Sequence, residues 1–232
     1  MIRVCIAGIS GWVGVPLARA IRESGDLELV AGIARSGSDE AGVPVFPSVD
    51  AALAVPFDVM VDYTSAIAVA DNVRRAVLGG RHVVVGSSGM TDAEYAEIDA
   101  SARERGTGVL AGGNFSLSAA LLQRFAIEAA KYFPDVEVVD LAHKGKLDAP
   151  SGTARELSWR LSQVTGTPPP VHSVRLPGYT IGVEVRFGAP SERLTLQYDG
   201  GPGAEPYIAG TLLAIRRVAS VRGVVRGFDN LL

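Results

Sequence analysis

The start of the chain combines three segments whose order constrains the fold more than any other feature of the sequence. Ile2 to Ala7 is a short apolar run with β-branched residues, which predicts a buried strand. A turn with three glycines follows, and then Val15 to Glu23, which has helical character. Leu27 to Ala34 predicts a second strand, so this region has the order of a βαβ unit in a parallel sheet.

The glycines of the turn, Gly8, Gly11 and Gly14, have the spacing GxxGxxG. At such a strand-to-helix turn the first glycine allows the tight bend and the second lets the backbone approach a pyrophosphate. The third lets the helix pack close to the strand. We therefore predict a dinucleotide site at this turn. The alternative is a glycine-rich turn of a doubly wound domain that binds no ligand.

The end of the second predicted strand indicates which dinucleotide is bound. NAD-binding domains hold the ribose 2′-hydroxyl with an acidic residue at this place, whereas this chain has Ala34 followed by Arg35 and Ser36. A guanidinium can pair with a 2′-phosphate. We therefore expect NADPH to be the preferred cofactor and NADH the weaker one.

The alternation of strands and helices continues along the first half of the chain. Further strands are predicted at Phe57 to Asp62, His82 to Val85 and Gly108 to Ala111. Residues that follow such strands, among them Thr64 and the loop from Gly86 to Gly89, face the ligand crevice of a doubly wound sheet. The pattern predicts an α/β fold with an N-terminal Rossmann-type, doubly wound parallel sheet.

Beyond residue 115 the pattern changes. A long helix, Leu117 to Lys131, is followed by a strand, Val136 to Ala142. After another helix and a proline-rich connection come three strand-like segments, His172 to Arg175, Ile181 to Phe187 and Arg193 to Tyr198. Because turn residues separate them, we expect these strands to be antiparallel. This region predicts a smaller C-terminal α+β domain with a mixed sheet.

The last predicted helix, Pro206 to Val218, is expected to return to the first domain. We therefore predict a dinucleotide-binding domain formed by residues 1–114 together with 206–232. Residues 115–205 are then expected to form a domain for substrate binding and oligomerisation.

Composition restricts the class of partner. The net charge of −3 gives no general attraction for nucleic acid or for an acidic membrane surface, and we expect neither as a partner. No apolar run reaches the length of a membrane span, and the N-terminus lacks the pattern of a signal peptide. The single cysteine, Cys5, lies in the first predicted strand and fits a reducing, cytoplasmic compartment. The three histidines are far apart and no metal-ligand spacing occurs, so no metal site is expected.

The segment from His143 to Ala154 combines basic side chains with a predicted helix start. Pro150 cannot continue a strand ladder, Ser151 can cap a helix, and Ala154 to Leu161 has helical periodicity. Two lysines and a histidine precede this helix start, and their charge adds to that of the amide dipoles. We therefore predict a site for a carboxylate or phosphate. The alternative is an exposed basic turn followed by an ordinary capped helix.

Taken together, these motifs resemble those of the dihydrodipicolinate reductase family, and the resemblance extends along nearly the whole chain. The motifs that carry it are the GxxGxxG turn, Asp62-Tyr63-Thr64, Val85 to Gly89, Gly113 to Ser116 and Lys146 to Ala154. The family reduces a cyclic, conjugated imine dicarboxylate of lysine and diaminopimelate biosynthesis with NAD(P)H, and its smaller domain builds a tetramer. The resemblance implies an NAD(P)H-dependent oxidoreductase that acts on a small carboxylate and forms a homotetramer or dimer.

The resemblance also implies roles for residues. Lys146 is expected to hold or polarise the substrate, His143 to bind a substrate carboxylate, and Ser151, Gly152 and Thr153 to clasp a carboxylate. The expected nucleotide site consists of Gly8, Gly11, Trp12, Val13, Gly14, Arg35, Ser36, Thr64, Gly86, Ser88, Gly113, Asn114 and Phe115.

One departure from the family pattern concerns the proton donor. The family has two adjacent histidines three residues before the lysine that corresponds to Lys146, the first being the proposed donor, and this chain has Ala142-His143 there. A methyl group cannot transfer a proton, and general acid catalysis typically contributes about a hundred- to ten-thousand-fold. His143, Lys146 and a bound water are the candidate substitutes. The chain is therefore expected to be a divergent member that reduces the family's substrate or another cyclic imine or enamine carboxylate. The alternative is a family-like scaffold without hydride transfer, such as a lyase, a dehydratase or an NADP-binding regulator.

Overall fold

The structure, a computed structural model, describes residues 1–35 and 42–232. The chain forms two compact units. One consists of Met1–Phe115 with Gly203–Leu232, and the other of Ser116–Pro202. Within the described ranges, no helix has both the length and the hydropathy that crossing a membrane requires.

A parallel sheet forms the centre of the first unit. Its strands within the described ranges are β1 (Ile2–Ala7), β2 (Leu27–Ile33), β3 (Val45–Phe46), β4 (Val59–Asp62), β5 (His82–Val85), β6 (Gly108–Ala111) and β11 (Gly223–Arg226). The spatial order is β11-β6-β5-β4-β1-β2-β3, with every neighbouring pair parallel. The chain runs from β1 outward to β3 on one side and restarts with β4 on the other. The carboxyl ends of β1 and β4 therefore form the switch point at which doubly wound sheets bind ligands.

Helices cover both faces of this sheet. They are α1 (Gly14–Glu23), α2 (Val49–Ala52), α3 (Val69–Leu78), α4 (Asp92–Arg105) and α7 (Glu205–Arg217). Buried residues of α2, α3 and α4 pack in one apolar cluster with Cys5 and Ala7 of β1. Val4 and Ile6 alternate to the opposite face, where α1 contacts β2 and α7. The predicted Rossmann-type sheet is confirmed.

The second unit is a four-stranded mixed sheet, counted over the described residues, covered by two helices. The strands are β7 (Asp135–Ala142), β8 (Val171–Arg175), β9 (Ile181–Ala189) and β10 (Glu192–Gly200), and the helices are α5 (Leu117–Ala130) and α6 (Gly152–Thr165). The order is β10-β9-β7-β8, and the core joins apolar residues of α5 and α6 to those of β7, β9 and β10. Leu157 and Leu161 of α6 are fully buried in this core. The mixed-sheet α+β prediction is confirmed.

Two features of the strands go beyond the prediction. The segment at residues 171–175 runs antiparallel to β9, as expected, but it does not pair with β9: β8 pairs with β7 in parallel, Val138 lying opposite Val171. Among the described residues of this sheet, β9 pairs antiparallel with both of its neighbours, β7 and β10. No strand was predicted after α7, but Gly223–Arg226 forms β11 and adds to the edge of the parallel sheet beside β6.

Candidate functional site

The glycine turn connects β1 to α1 at the switch point of the sheet. Gly8 has a φ of +85°, and its N–H donates to Ile33 O at 2.8 Å. A Cβ on Gly8 would lie 2.3 Å from Tyr63 O, and a Cβ on Gly14 would lie 2.1 Å from Gly8 O. Both positions therefore require glycine for the turn itself. At Gly11 the nearest atom to such a Cβ is Gly8 O at 3.0 Å, so the turn itself would tolerate a side chain more easily there. A ligand that approaches the main chain closely is the stronger reason for a glycine at this position.

The N-terminus of α1 suits an anion. No side chain caps this helix, and its first turn carries no acidic residue. In contrast, α4 has a complete capping box, with Thr91 and Glu94 bonded to each other's backbone N–H groups as their spacing in the sequence indicates. Because an uncapped helix N-terminus presents N–H groups and a positive dipole end, the first turn of α1 fits a pyrophosphate.

The two residues between Gly11 and Gly14 differ in exposure. Trp12 is 66% exposed and meets the ring of Tyr207 edge to face, with centroids 5.8 Å apart. Val13 was expected in the nucleotide site as well, but its side chain is buried. Only the main chain of Val13 is placed to meet a ligand.

A buried carboxylate, Asp62, organises the loops after β4 and β5. Its Oδ1 accepts hydrogen bonds from the Thr64 N–H (3.1 Å), the Thr64 hydroxyl (2.8 Å) and the Ser87 hydroxyl (2.7 Å). Its Oδ2 accepts one from Asn72 Nδ2 at 2.9 Å. Because both hydroxyls donate inward to Asp62, the lone pairs of Thr64 Oγ1 and Ser87 Oγ are the groups they can offer to a ligand. Sequence reasoning named Thr64 but missed the roles of Asp62, Asn72 and Ser87.

The first residue of the loop after β5, Gly86, has to be glycine because a side chain of the same unit packs against it. A Cβ on Gly86 would lie 2.1 Å from the ring of Tyr63, so the tyrosine excludes any larger residue there. The Gly86 N–H donates to Asp62 O at 2.9 Å, which anchors the loop. Ser88, the other residue expected to border the nicotinamide, is exposed.

The segment after β6, Gly113 to Phe115, is largely enclosed. The Phe115 side chain is 1% exposed and packs against Tyr63 and Phe228, with ring centroids 6.4 and 5.2 Å away. Asn114 is also buried, while Gly113 is half-buried. The aromatic ring of Phe115, which was expected to border the nicotinamide, is therefore covered by other side chains. Only the main chain of Phe115 can border a bound nucleotide.

The residues expected to select the cofactor lie at the end of β2. The Ala34 N–H donates to Phe46 O, which fixes the strand end, and the side chain of Arg35 is exposed. Ser36 lies outside the described residues.

In the second unit, the structure confirms a capped helix start at Ser151. Ser151 Oγ accepts the Ala154 N–H at 3.3 Å, and α6 begins at Gly152. The side chains of Ser151 and Thr153 are buried, whereas Gly152 is half-buried. A carboxylate at this helix start would therefore meet main-chain N–H groups before it meets the two hydroxyls.

Lys146 has a partner that the sequence did not reveal. Its Nζ lies 2.7 Å from Asp148 Oδ1, and Arg155 Nη2 lies 4.0 Å from Asp148 Oδ2. Partial burial favours a higher pKa for Asp148, but the hydrogen bond and charge of Lys146 outweigh it and hold the pKa below its usual value. The pair fixes the Lys146 ammonium to Asp148, which precedes the cap of α6 by three residues.

His143 is exposed, and its tautomer follows from its surroundings. The Gly145 N–H donates to His143 Nδ1 at 3.2 Å, so in the neutral ring the proton is on Nε2. The Nε2–H group is thereby presented as a donor, as binding of a carboxylate requires.

Ala142 is the last residue of β7 and is fully buried. Its neighbours across the sheet are Arg175 on β8 and Ile181 on β9. No acid stands at this position, and the methyl group is covered. The structure therefore leaves His143, Lys146 and a bound water as the candidate proton donors.

The remaining titratable candidates are structural. His82 Nδ1 accepts the Gly108 N–H at 2.9 Å, and His172 Nε2 lies 3.1 Å from Glu137 Oε2. Burial raises the pKa of the Cys5 thiol to about 12, which keeps it protonated and unreactive. Among the described residues, no group of three or more histidine, cysteine or acidic side chains is arranged to hold a metal ion.

Comparison with known proteins gives a consistent result. Family models for the N-terminus and the C-terminus of dihydrodipicolinate reductase match residues 2–115 and 118–232. The 4-hydroxy-tetrahydrodipicolinate reductase of Enterococcus faecalis is 35% identical over 260 residues, which cover 100% of both chains. That of Streptococcus gordonii is 37% identical over 255 residues, which cover 100% of this chain and 99% of the relative. A dipicolinate-bound dihydrodipicolinate reductase from Paenisporosarcina sp. TG-14 matches over 100% of both chains, with a TM-score of 0.85 and 28% identity.

The doubly wound sheet, with a glycine turn at its switch point and an uncapped helix start, is typical of a dinucleotide-binding domain, and the full-length reductase relatives place the chain among the NAD(P)H-dependent oxidoreductases. The mixed-sheet unit and the full-length matches narrow this class. The chain belongs to the dihydrodipicolinate reductase family.

Proposed function

We propose that the protein uses NADPH to reduce 4-hydroxy-tetrahydrodipicolinate or a closely related cyclic imine carboxylate. Relatives of 35–37% identity carry the name of this reductase, and the Paenisporosarcina relative binds dipicolinate, a planar dicarboxylate. The observation that carries the proposal is the loop in which His143 and Lys146 lead directly into the N-terminus of α6. Such an arrangement recognises a carboxylate through the charge of Lys146, the Nε2–H donor of His143 and a helix dipole.

The cofactor supplies the hydride, and the first unit binds the cofactor. The glycine turn, with the main chain of Trp12 and Val13, binds the pyrophosphate at the start of α1. Thr64 accepts a hydrogen bond from the ligand, since its own hydroxyl proton is directed at Asp62. Around the nicotinamide we place Gly86, Ser88, Gly113, Asn114 and Phe115, the last through its main chain.

The second unit binds the substrate. Lys146 contacts one carboxylate, and the N–H groups of Gly152 and Thr153, with the Ser151 hydroxyl, enclose it. His143 donates from Nε2 to a carboxylate. Because Ala142 cannot provide a proton, His143, Lys146 or a bound water delivers it to the position left electron-rich by hydride addition.

The preference for NADPH rests on Arg35. Its exposed guanidinium follows β2, and Ala34 before it has no carboxylate for the ribose diol. We expect a lower dissociation constant for NADPH than for NADH, and Arg35→Ala should remove most of the difference. Arg19→Ala, on the exposed side of α1, is the matched control. Equal constants for both cofactors in the wild type would contradict the preference.

A cytoplasmic homotetramer or dimer completes the proposal. The nine-residue strand β10 lies at the edge of its sheet, and Leu194 on it is 36% exposed, as an intersubunit edge requires. Light scattering during size-exclusion chromatography measures the assembly, and a monomer at working concentration would exclude it. Cell fractionation tests the location.

The reaction itself is tested by incubating the protein with NADPH and a panel of cyclic imine carboxylates. Oxidation of NADPH supports the proposal, and Lys146→Ala should abolish most of it while Lys144→Ala, an exposed neighbour, retains it. Binding of NADPH and substrate without any oxidation would instead favour the scaffold without hydride transfer, the alternative suggested by Ala142.

A further inference from the structure

We propose that Asp140 and Arg175 are positioning residues for substrate binding: together they hold both ends of the segment 148–151, here called the carboxylate loop. This inference rests on the proposed function, because it assigns the loop to the substrate carboxylate. It adds two residues that touch neither cofactor nor substrate and that act through the loop.

Asp140 holds the C-terminal end of the loop. It lies on β7 and its side chain is fully buried. Its Oδ2 accepts the Ser151 N–H at 2.8 Å, the Ser173 hydroxyl at 3.1 Å and Arg175 Nη2 at 2.6 Å. The amide of the residue that caps α6 is therefore fixed by a carboxylate from the sheet beneath it.

Arg175 holds the N-terminal end. It lies on β8, and its Nη2 donates to Asp148 O at 2.8 Å as well as to Asp140 Oδ2. Its Nη1 donates to Asp140 O at 3.0 Å, which ties the guanidinium to the strand. One ion pair thus fixes Asp148, whose carboxylate orients Lys146, and Ser151, which starts the helix.

Stability alone is a poor explanation for this pair. The desolvation of two buried charges often exceeds their mutual attraction, and apolar replacements are frequently as stable. Within the described part of the chain, Asp140 Oδ1 and Arg175 Nε are buried without a hydrogen-bond partner. The pair therefore leaves two polar atoms unsatisfied, while Asp140 Oδ2 and Arg175 Nη2 each bond one end of the loop. This geometry fits a role in positioning the loop better than a role in stability.

The charges of the pair also affect an incoming anion. Burial favours a higher pKa for Asp140, but the hydrogen bonds from Ser151 and Arg175 outweigh it and hold the pKa below its usual value. Asp140 is thus ionised at neutral pH, directly at the start of α6. Arg175 neutralises it. Without Arg175, a negative charge would remain at a helix start that has to attract a carboxylate.

The test uses the full-length protein and pyridine-2,6-dicarboxylate as the probe. We expect Arg175→Met to raise the dissociation constant of the probe and the KM for the imine substrate by roughly tenfold or more, equivalent to about 1.4 kcal/mol. The dissociation constant of NADPH should change less than about twofold. Arg175→Lys keeps the charge and should recover part of the affinity. Arg186→Met removes an exposed arginine from β9 of the same sheet and is the matched control, with no effect expected.

The double variant Asp140→Leu with Arg175→Met covers the case in which Arg175→Met does not fold, since it leaves no unpaired buried charge. It releases both ends of the carboxylate loop and should also weaken the probe without weakening NADPH. If folded variants at both positions bind the probe as the wild type does and lose only thermal stability, the pair is structural and the inference is wrong. If the wild type does not bind the probe, or Lys146→Ala leaves its affinity unchanged, the proposed function fails and this inference fails with it.

Discussion

The hydroxyl of Tyr63 lies 2.8 Å from the hydroxyl of Thr211, and this hydrogen bond joins the end of β4 to α7. Thr211 Oγ1 donates to Tyr207 O at 2.8 Å, so Tyr63 is the donor to Thr211. Burial raises the pKa of Tyr63, which keeps it protonated and able to donate. The same ring occupies the space beside Gly86. One side chain therefore connects α7 to the loops that follow β4 and β5.

The direction of this hydrogen bond predicts unequal costs for removing its two partners. Tyr63→Phe leaves Thr211 bonded to Tyr207 and should lower the free energy of unfolding by about 1 kcal/mol. Thr211→Val leaves the buried Tyr63 hydroxyl without an acceptor and should cost about 1–3 kcal/mol. Chemical denaturation of both variants measures the difference. A larger loss for Tyr63→Phe would show that the assigned direction is wrong.

The glycine turn predicts a strong contrast between two Gly→Ala variants. At Gly14 the new methyl carbon would lie 2.1 Å from Gly8 O and 2.8 Å from Ile9 Cα, both main-chain atoms that cannot rotate away. At Gly25 nothing lies within 4 Å. Gly14→Ala should therefore lose on the order of 1–3 kcal/mol of stability and much of its NADPH affinity, whereas Gly25→Ala should match the wild type. Titration calorimetry with NADPH checks this, and equal affinity of the two variants would contradict it.

The contact between Asp62 and Asn72 predicts a rescue by exchange. In Asp62→Asn the amide oxygen stays with its donors Thr64 and Ser87, so the new NH2 group faces the NH2 group of Asn72. In Asn72→Asp two carboxylates face each other. Each single variant should weaken NADPH binding, since Asp62 also orients Thr64 and Ser87. The double variant restores a donor and an acceptor and should recover part of the affinity. If the loss of NADPH binding free energy in the double variant equals the sum of the two single losses, the contact between residues 62 and 72 does not contribute to NADPH binding.

The ion pair of Arg3 with Asp58 predicts a dependence of stability on pH. The hydrogen bond from Arg3 is the main cause that lowers the pKa of Asp58 in the folded protein, where Arg3 Nη2 lies 2.7 Å from Oδ1. A lowered folded pKa stabilises the protein above the unfolded value of about 3.9, and this contribution is lost as the pH falls through the folded value. The pair is more than a third exposed, so Asp58→Asn should cost only on the order of 1 kcal/mol at neutral pH. Denaturation at several pH values should show that cost shrinking below about pH 4.

Local signals in the sequence predicted much of the fold. The order of strand, glycine turn and helix located β1 and α1, the bounds of β5 and β6 were predicted correctly, and Ser151 was identified as a helix cap. These features depend on residues close together in the chain. The pairing of β8 with β7 was not predicted because it depends on a partner distant in the sequence, and β11 was missed because a four-residue strand ending in arginine carries little pattern.

The same limit applies to the candidate site. The basic residues that precede the carboxylate loop were recognised from their types and spacing, yet the partner of Lys146 was not, although Asp148 belongs to the same motif. The pairing of Asp140 with Arg175 joins residues 35 positions apart on adjacent strands, so only the parallel register reveals it. Burial of the Phe115 ring likewise follows from packing against Phe228.

Hydride transfer is the central claim, and the most direct measurement follows the hydrogen itself. The protein is incubated with 4-hydroxy-tetrahydrodipicolinate and NADPH that carries deuterium at the transferable position of the nicotinamide, and the product is analysed by mass spectrometry. We predict deuterium in the ring of the reduced product. The amount of labelled product should be strongly reduced for Lys146→Ala and unchanged for Lys144→Ala. Unlabelled substrate and intact NADPH after prolonged incubation with the wild type would contradict the account.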